Sequence, residues 1–353
     1  MPYGSTQPEN LEQLSDTQPG VNRPGGHGSE IDGPLFIFYD QEPILGEFNY
    51  PLFDVLDRRV QNTPHILVTT EQNSDPLDSV KQRYGWRTCY YFHHAFAAAD
   101  WFRGYRYDPE LVDPAQRKLD RKYITFNRLT SDRRVYRSLL ISELIEQDLL
   151  HQGHVSYNDI CPEGSTYQEN LARAVSNGYI STELAQRAIN NISSAQLPLR
   201  IDYQDQAVIP NHSFVLSAVA ETQRSFCYLV TETCYWERKD HLTEKIFKPI
   251  VSRMPFVLAG PAHNLKYLRS YGFQTFDRWW DESYDDIEDP VARLTAIGQV
   301  MKTICGYSLS QLEHMLAEMA PVLEHNLELF YSREFLDRCW QELTTNLAKA
   351  TRS

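Results

Sequence analysis

Glu232, Thr243, Glu244, Lys245 and Lys248 fall in one stretch, Phe226 to Pro261, reading FCYLVTETCYWERKDHLTEKIFKPIVSRMPFVLAGP. A carboxylate at a strand end can accept two hydroxyls of a ribose or sugar ring, and a lysine beside it can neutralise a phosphate. Glu232 closes the apolar run FCYLVTET. Glu244 and Lys245 open an apolar-striped helical segment for which Asp240 and Thr243 offer N-cap oxygens. Taken singly, these residues have plainer readings. Glu244 as a first-turn acid would gain about 0.3–1 kcal/mol from the helix dipole, and Lys248 would be a solvated helix charge. Their combination with Glu232 points instead to a phosphate-bearing ligand at the mouth of a strand–helix–strand unit.

Arg128, Arg133 and Arg134 form a second candidate group, following the run YITFN and preceding another helical segment. Guanidinium forks match phosphate oxygens in pairs and stay charged when partly buried. That suits a diphosphate whose charge grows as a sugar leaves it. The alternative is a helix start whose arginines pair with Asp132 or Glu143. For proton transfer, Asp40 and Glu42 follow the first apolar run, Glu71 ends the second, and His93 and His94 end the third. Any of these could serve as a general base, or the acids could cap turns and the histidines be satisfied, half-buried imidazoles. No Asp-x-Asp sits at a strand end, so no metal is expected. Neither GxGxxG after the first strand nor a Walker lysine motif is present, which leaves a dinucleotide oxidoreductase or P-loop enzyme unsupported.

These groups need elements to hold them. The chain has 353 residues, enough for two cored domains, and an ordinary soluble composition. Its net charge of −13 disfavours a broad grip on a nucleic-acid backbone. Six cysteines lack CxxC spacing, which predicts reduced, buried thiols. No run is long enough for a membrane span and no signal-peptide core opens the chain. A cytoplasmic location is therefore expected.

Residues 1–30 are rich in Pro, Gly, Ser, Gln and Asn and predict a mobile tail. The runs PLFIFYDQEP, HILVTTEQNS and TCYYFHHAF predict three strands, the first buried and parallel, with helices near Pro51–Arg59 and Pro76–Tyr84. A charge-mixed stretch from Tyr107 to Arg121 marks a boundary. Beyond it come a strand, the arginine loop and a strongly amphipathic helix, then a short strand at His151–Tyr157. The segment Tyr167–Leu197 reads as a helical insertion interrupted at Gly178 and at the Asn-Asn pair. After the central unit follow a helix, a short strand QTF and another helix. The end of the chain, from Ser308 to Ala350, predicts two or three closing helices broken near Pro321 and again around Tyr331–Arg333. Strands alternating with helices imply α/β domains with parallel sheets, one at 31–118 and a second at 119–345.

The stretch from Thr231 to Pro261 resembles the nucleotide-sugar-binding signature of the α1,3-fucosyltransferases, a metal-independent glycosyltransferase family of GT-B fold. The whole chain also looks like uncharacterised glycosyltransferase-like proteins of phages and bacteria. The resemblance implies two Rossmann-like domains and a nucleotide diphosphate sugar as donor, with a glycan or other hydroxyl as acceptor and no cofactor. It also implies inverting transfer. It places Glu232 and Asp240 at the family's first glutamate and aspartate, Glu244 at the ribose, Lys245 at the phosphate and Arg128 at the diphosphate. Two further function classes remain beside it: a sugar- or nucleotide-binding scaffold with a GT-B shell, and a phage-type DNA-modifying glucosyltransferase, which would need a basic cleft.

Overall fold

The computed structural model describes residues 34–46, 49–59, 65–104, 111–201, 216 and 218–352. The expected tail at 1–30 lies outside them. The chain is α/β, and among the described residues the strands form two all-parallel sheets.

The first sheet has the order β1 (Leu35–Tyr39), β2 (His65–Thr69), β3 (Arg87–Tyr90). Its central strand β2 is buried throughout, as a near-continuous apolar run requires. β1 differs from expectation: it is an edge strand with alternating burial. Ile37 and Tyr39 pack on the core of Phe53, Leu77 and Trp86, while Phe36 and Phe38 face outward. Helices α1 (Tyr50–Arg59) and α2 (Asp75–Tyr84) cover the inner face. α2 starts on a Ser74 N-cap and stops at Gly85, whose left-handed φ of 66° lets its N–H reach Lys81 O. The third apolar run splits into β3 and helix α3 (His93–Gly104), so His93 and His94 open a helix and do not end a strand.

The second sheet has the order β5-β4-β6-β7, with β4 Arg121–Asn127, β5 Gly153–Tyr157, β6 Ser225–Thr231 and β7 Phe256–Ala259. The chain moves outward from β4 to β5, then returns to lay β6 on the other flank of β4. The order therefore reverses between β4 and β6, and crevices at such a reversal, outside the carboxyl ends of the strands, are where open α/β sheets bind ligands. Helix α4 (Tyr136–Glu146) is buried on most sides, Tyr136 to Ser142 among them, and packs against α6 (Thr182–Ser193) and α10 (Pro290–Gly306). The expected amphipathic stripe is absent because neighbours cover both faces. The insertion forms α5 (Tyr167–Ser176) and α6, broken at Gly178 with φ 74°, while Asn190 and Asn191 lie inside α6. There Asn191 donates to Ser142 Oγ at 3.1 Å. Beyond them run α7 (Val219–Gln223), α8 (Glu244–Val251) and α9 (Asn264–Ser270).

Gln274 to Phe276 is not a strand. Its backbone is matched by a side chain, Asn326, which accepts from Gln274 N at 2.8 Å and donates to its carbonyl at 2.9 Å. Helix α11 (Leu309–Tyr331) runs through Pro321 unbroken, held by buried Leu312, Leu316, Met319 and Leu323. After Ser332 the final helix α12 (Arg333–Arg352) crosses back to the first sheet. Leu343, Leu347 and Ala350 pack on Ile66, Val68 and Cys89, and Asn346 donates to Tyr90 O at 2.8 Å.

Candidate functional site

The two sheets meet through the loops that leave their strands' carboxyl ends. Gln72, beyond β2, and Asp240, between β6 and α8, exchange backbone hydrogen bonds of 2.9 and 3.3 Å. Asn73 adds a 2.6 Å bond to Asp240 Oδ2. Beneath this seam Lys239 and Glu71 form a fully buried ion pair at 3.1 Å, with Lys239 also donating to Ile44 O at 2.8 Å. Asp240 thus holds the two sheets together and does not cap α8.

Glu232 leaves β6 at the strand-order reversal and is fully buried. One carboxylate oxygen accepts from Thr243 N at 3.2 Å, and the other from Thr243 Oγ1 at 2.6 Å and Thr233 N at 3.3 Å. Burial pushes its pKa up, against the pull of Lys245 and of the Thr243 hydroxyl and N–H. Glu232 therefore fixes the start of α8 from below, and its oxygens are committed to the loop. Thr243 is the N-cap, its hydroxyl accepting from Lys245 N at 3.4 Å. Lys245 Nζ rests among Thr233 Oγ1, Thr243 Oγ1 and Glu244 Oε1, each at 3.1 Å, with 29% of its side chain exposed.

Charges of both sheets converge here. Burial alone would raise the Glu244 pKa, but Lys245, Lys248 and His94 outweigh it and bring it to about 2. Burial lowers half-buried Lys248 to about 8, with Glu244 working upward. Glu42, exposed in the loop after β1, has a raised pKa, because the surrounding protein, with Glu244, outweighs the downward pull of Arg134 and Lys245. Arg134, half-buried in the 3-10 turn Asp132–Val135, is thus within electrostatic reach of Glu42. The arrangement is a carboxylate–cation cluster with a lysine still open to solvent, suited to a polyanion that also carries hydroxyls.

The remaining candidates separate. Arg128 is exposed just beyond β4, at the same reversal. Arg133 is spent on structure: it donates to Leu45 O at 3.0 Å and pairs closely with Glu237, joining the two halves. His94 is buried, with Nδ1 3.4 Å from Thr70 Oγ1 and its ring edge-on to His241 at 5.5 Å. Burial drives its pKa down to about 4 against the upward effect of Glu244, so it stays neutral near pH 7. Asp40 contacts Tyr91 and His93. Sequence reasoning missed Lys239 and His241, because ERKDH reads as a solvated charged loop. Its only hint was a lysine beside a strand-end crevice.

Among the described residues no group of three or more His, Cys, Asp or Glu is gathered as a metal site would need, and no helix is long and apolar enough to cross a membrane. Two open hollows, about 740 Å³ beside Thr344–Arg352 and about 520 Å³ beside Thr182–Asn191, each follow one helix and lack a second wall. No family model, curated protein or solved structure matches the chain.

Proposed function

We propose that the protein is a glycosyltransferase of GT-B type, with two Rossmann-like halves, moving a hexose or deoxyhexose from a nucleotide diphosphate sugar to a hydroxyl acceptor. The observation that supports it best is the placement of the Glu244–Lys245 pair. It stands at the β4/β6 reversal, held there by Glu232 and facing the loops of a second parallel sheet. In this reading Lys245, Arg134 and Arg128 balance the diphosphate, Lys248 adds charge, and Glu244 receives the ribose hydroxyls. Glu232 and Arg133 position the site and do not touch the donor. The side-chain cations would supply the charge compensation that a metal supplies elsewhere. Inversion follows the fucosyltransferase likeness, and the acceptor enters from the side of Asp40, Glu42 and the histidines. All six cysteines are unpaired and buried, in keeping with a cytoplasmic setting.

Thermal-shift measurements with UDP-, GDP-, dTDP- and CMP-sugars test the reading, because a ligand bound by the native state raises the melting temperature. One nucleotide class should stabilise the protein. Lys245→Ala should weaken its binding about 10- to 100-fold, the range for losing a charge-assisted hydrogen bond. No stabilisation by any nucleotide, or an unchanged response in Lys245→Ala and Arg134→Ala, would refute the donor site.

A further inference from the structure

At the carboxyl ends of the first sheet, three side chains from three elements meet. Asp40 follows β1, Tyr91 follows β3, and His93 opens α3. The Tyr91 hydroxyl lies against Asp40 Oδ2 in a close contact and 2.7 Å from His93 Nδ1, and Nδ1 is 3.5 Å from Asp40 Oδ2. A carboxylate only accepts, and a phenol has one hydrogen. Burial would raise the Asp40 pKa, but the neighbouring His93 and the hydrogen bond from Tyr91 lower it below the ordinary range, so Asp40 is ionised. The Tyr91 hydrogen therefore goes to Asp40, and its oxygen can only accept from Nδ1–H. That leaves the imidazole lone pair on Nε2.

We propose that His93 is the general base of the transfer, with Asp40 and Tyr91 as positioning residues that fix its tautomer; this rests on the sugar-transfer reading above. The side chains of His93 and Asp40 keep 16% and 17% exposure, so the network is not sealed, whereas His94 is buried. α3 packs against α8, which carries Glu244 and Lys245. Glu42, the other candidate, lies within electrostatic reach of Arg134 and Lys245, the cations assigned above to the diphosphate. In the step, the acceptor oxygen bonds to the anomeric carbon as its proton passes to Nε2. The bond from that carbon to the diphosphate oxygen breaks, and its electron pair leaves with the nucleoside diphosphate. The Asp40 charge stabilises the imidazolium, which then returns the proton to water.

Two readouts test this. In protein labelled with ¹⁵N-histidine, with the His93 signals assigned by their loss in His93→Gln, the neutral ring should carry its hydrogen on Nδ1. Asp40→Asn and Tyr91→Phe should shift it toward the Nε2–H form. For turnover, UDP-glucose, GDP-fucose and dTDP-glucose are the probes, with water as acceptor and nucleoside diphosphate release as the signal. His93→Gln should lower release about 10²–10⁴-fold while keeping the nucleotide-induced rise in melting temperature. Undiminished release in His93→Gln, or a wild-type lone pair on Nδ1, overturns the assignment. Absence of a nucleotide-induced shift in the wild type sinks the donor site instead, and the role of His93 with it.

Discussion

Glu244 and Lys248 respond to pH in opposite directions. The folded-state pKa of Glu244, about 2, lies below its ordinary 4.5. Its charge therefore contributes stability that is fully present above about pH 4.5 and lost as pH falls toward 2. The shift corresponds to about 3 kcal/mol. Lys248 is a base with its pKa lowered to about 8 from 10.5, so keeping it protonated in its half-buried, partly desolvated setting opposes folding. That opposition fades as pH rises from about 8 to 10.5. Urea unfolding of Glu244→Gln should show a shallower loss of stability between pH 4.5 and 3 than wild type, and parallel curves would show that the Glu244 charge stabilises nothing. On the proposed function Lys248 also gives donor binding a pH limb: affinity for a nucleoside diphosphate should weaken as pH rises through about 8, and Lys248→Met should remove that dependence.

At the scale of elements, the pairing of β4 with β5 depends on Gly153, which sits opposite Tyr123 in register. A Cβ at Gly153 would come within 2.3 Å of the buried Tyr123 ring, whose hydroxyl donates to Leu149 O at 3.1 Å. Gly153→Ala should therefore cost about 1–3 kcal/mol by overpacking, and the same change in a Tyr123→Leu background should be nearly neutral by chemical denaturation. Equal costs in both backgrounds would show that the ring is not the obstacle. This contact was not legible in the sequence, since a glycine opening a short strand does not name its neighbour. What could be read locally was β6, β7 and α8, where apolar runs and a capping threonine mark boundaries without tertiary help. Reading failed where packing decides. The run TCYYFHHAF is apolar enough for a strand, yet turns into α3 after Tyr90. Pro321 stays helical because buried leucines hold both sides of α11. Spacing put Glu232 and the Glu244–Lys245 pair in one strand–helix unit, and they do lie together, but the commitment of Glu232 to Thr243 depends on how the loop folds back. Arg133 likewise looked like its neighbour Arg134 until Leu45 and Glu237 were placed beside it.

For the whole molecule, the question is what keeps the two sheets in fixed relation. Arg238 pairs with Asp75 at 2.8 Å on the surface, where an exposed ion pair contributes about 0–1 kcal/mol. Lys239 and Glu71 are different, because both are buried and fully engaged. Glu71 accepts from Ile44 N at 2.8 Å, from Ser74 Oγ in a close contact and from Lys239, which in turn donates to Ile44 O. Removing one partner leaves an uncompensated charge where water cannot reach it, at a cost of about 3–5 kcal/mol. Lys239→Met should therefore lower stability by that amount, while Glu71→Gln combined with Lys239→Met should recover part of the loss. The tie also joins Ile44, and hence the loop carrying Glu42, to the loop before α8. Its loss should loosen the contact between these loops and, on the proposed function, lower donor affinity even though both residues are buried. The double-mutant cycle for unfolding decides the matter: a coupling of several kcal/mol identifies the pair as the clamp between the sheets. A coupling below about 0.5 kcal/mol, the additivity limit for independent sites, would assign the clamp to the Gln72–Asp240 bridge and to α12.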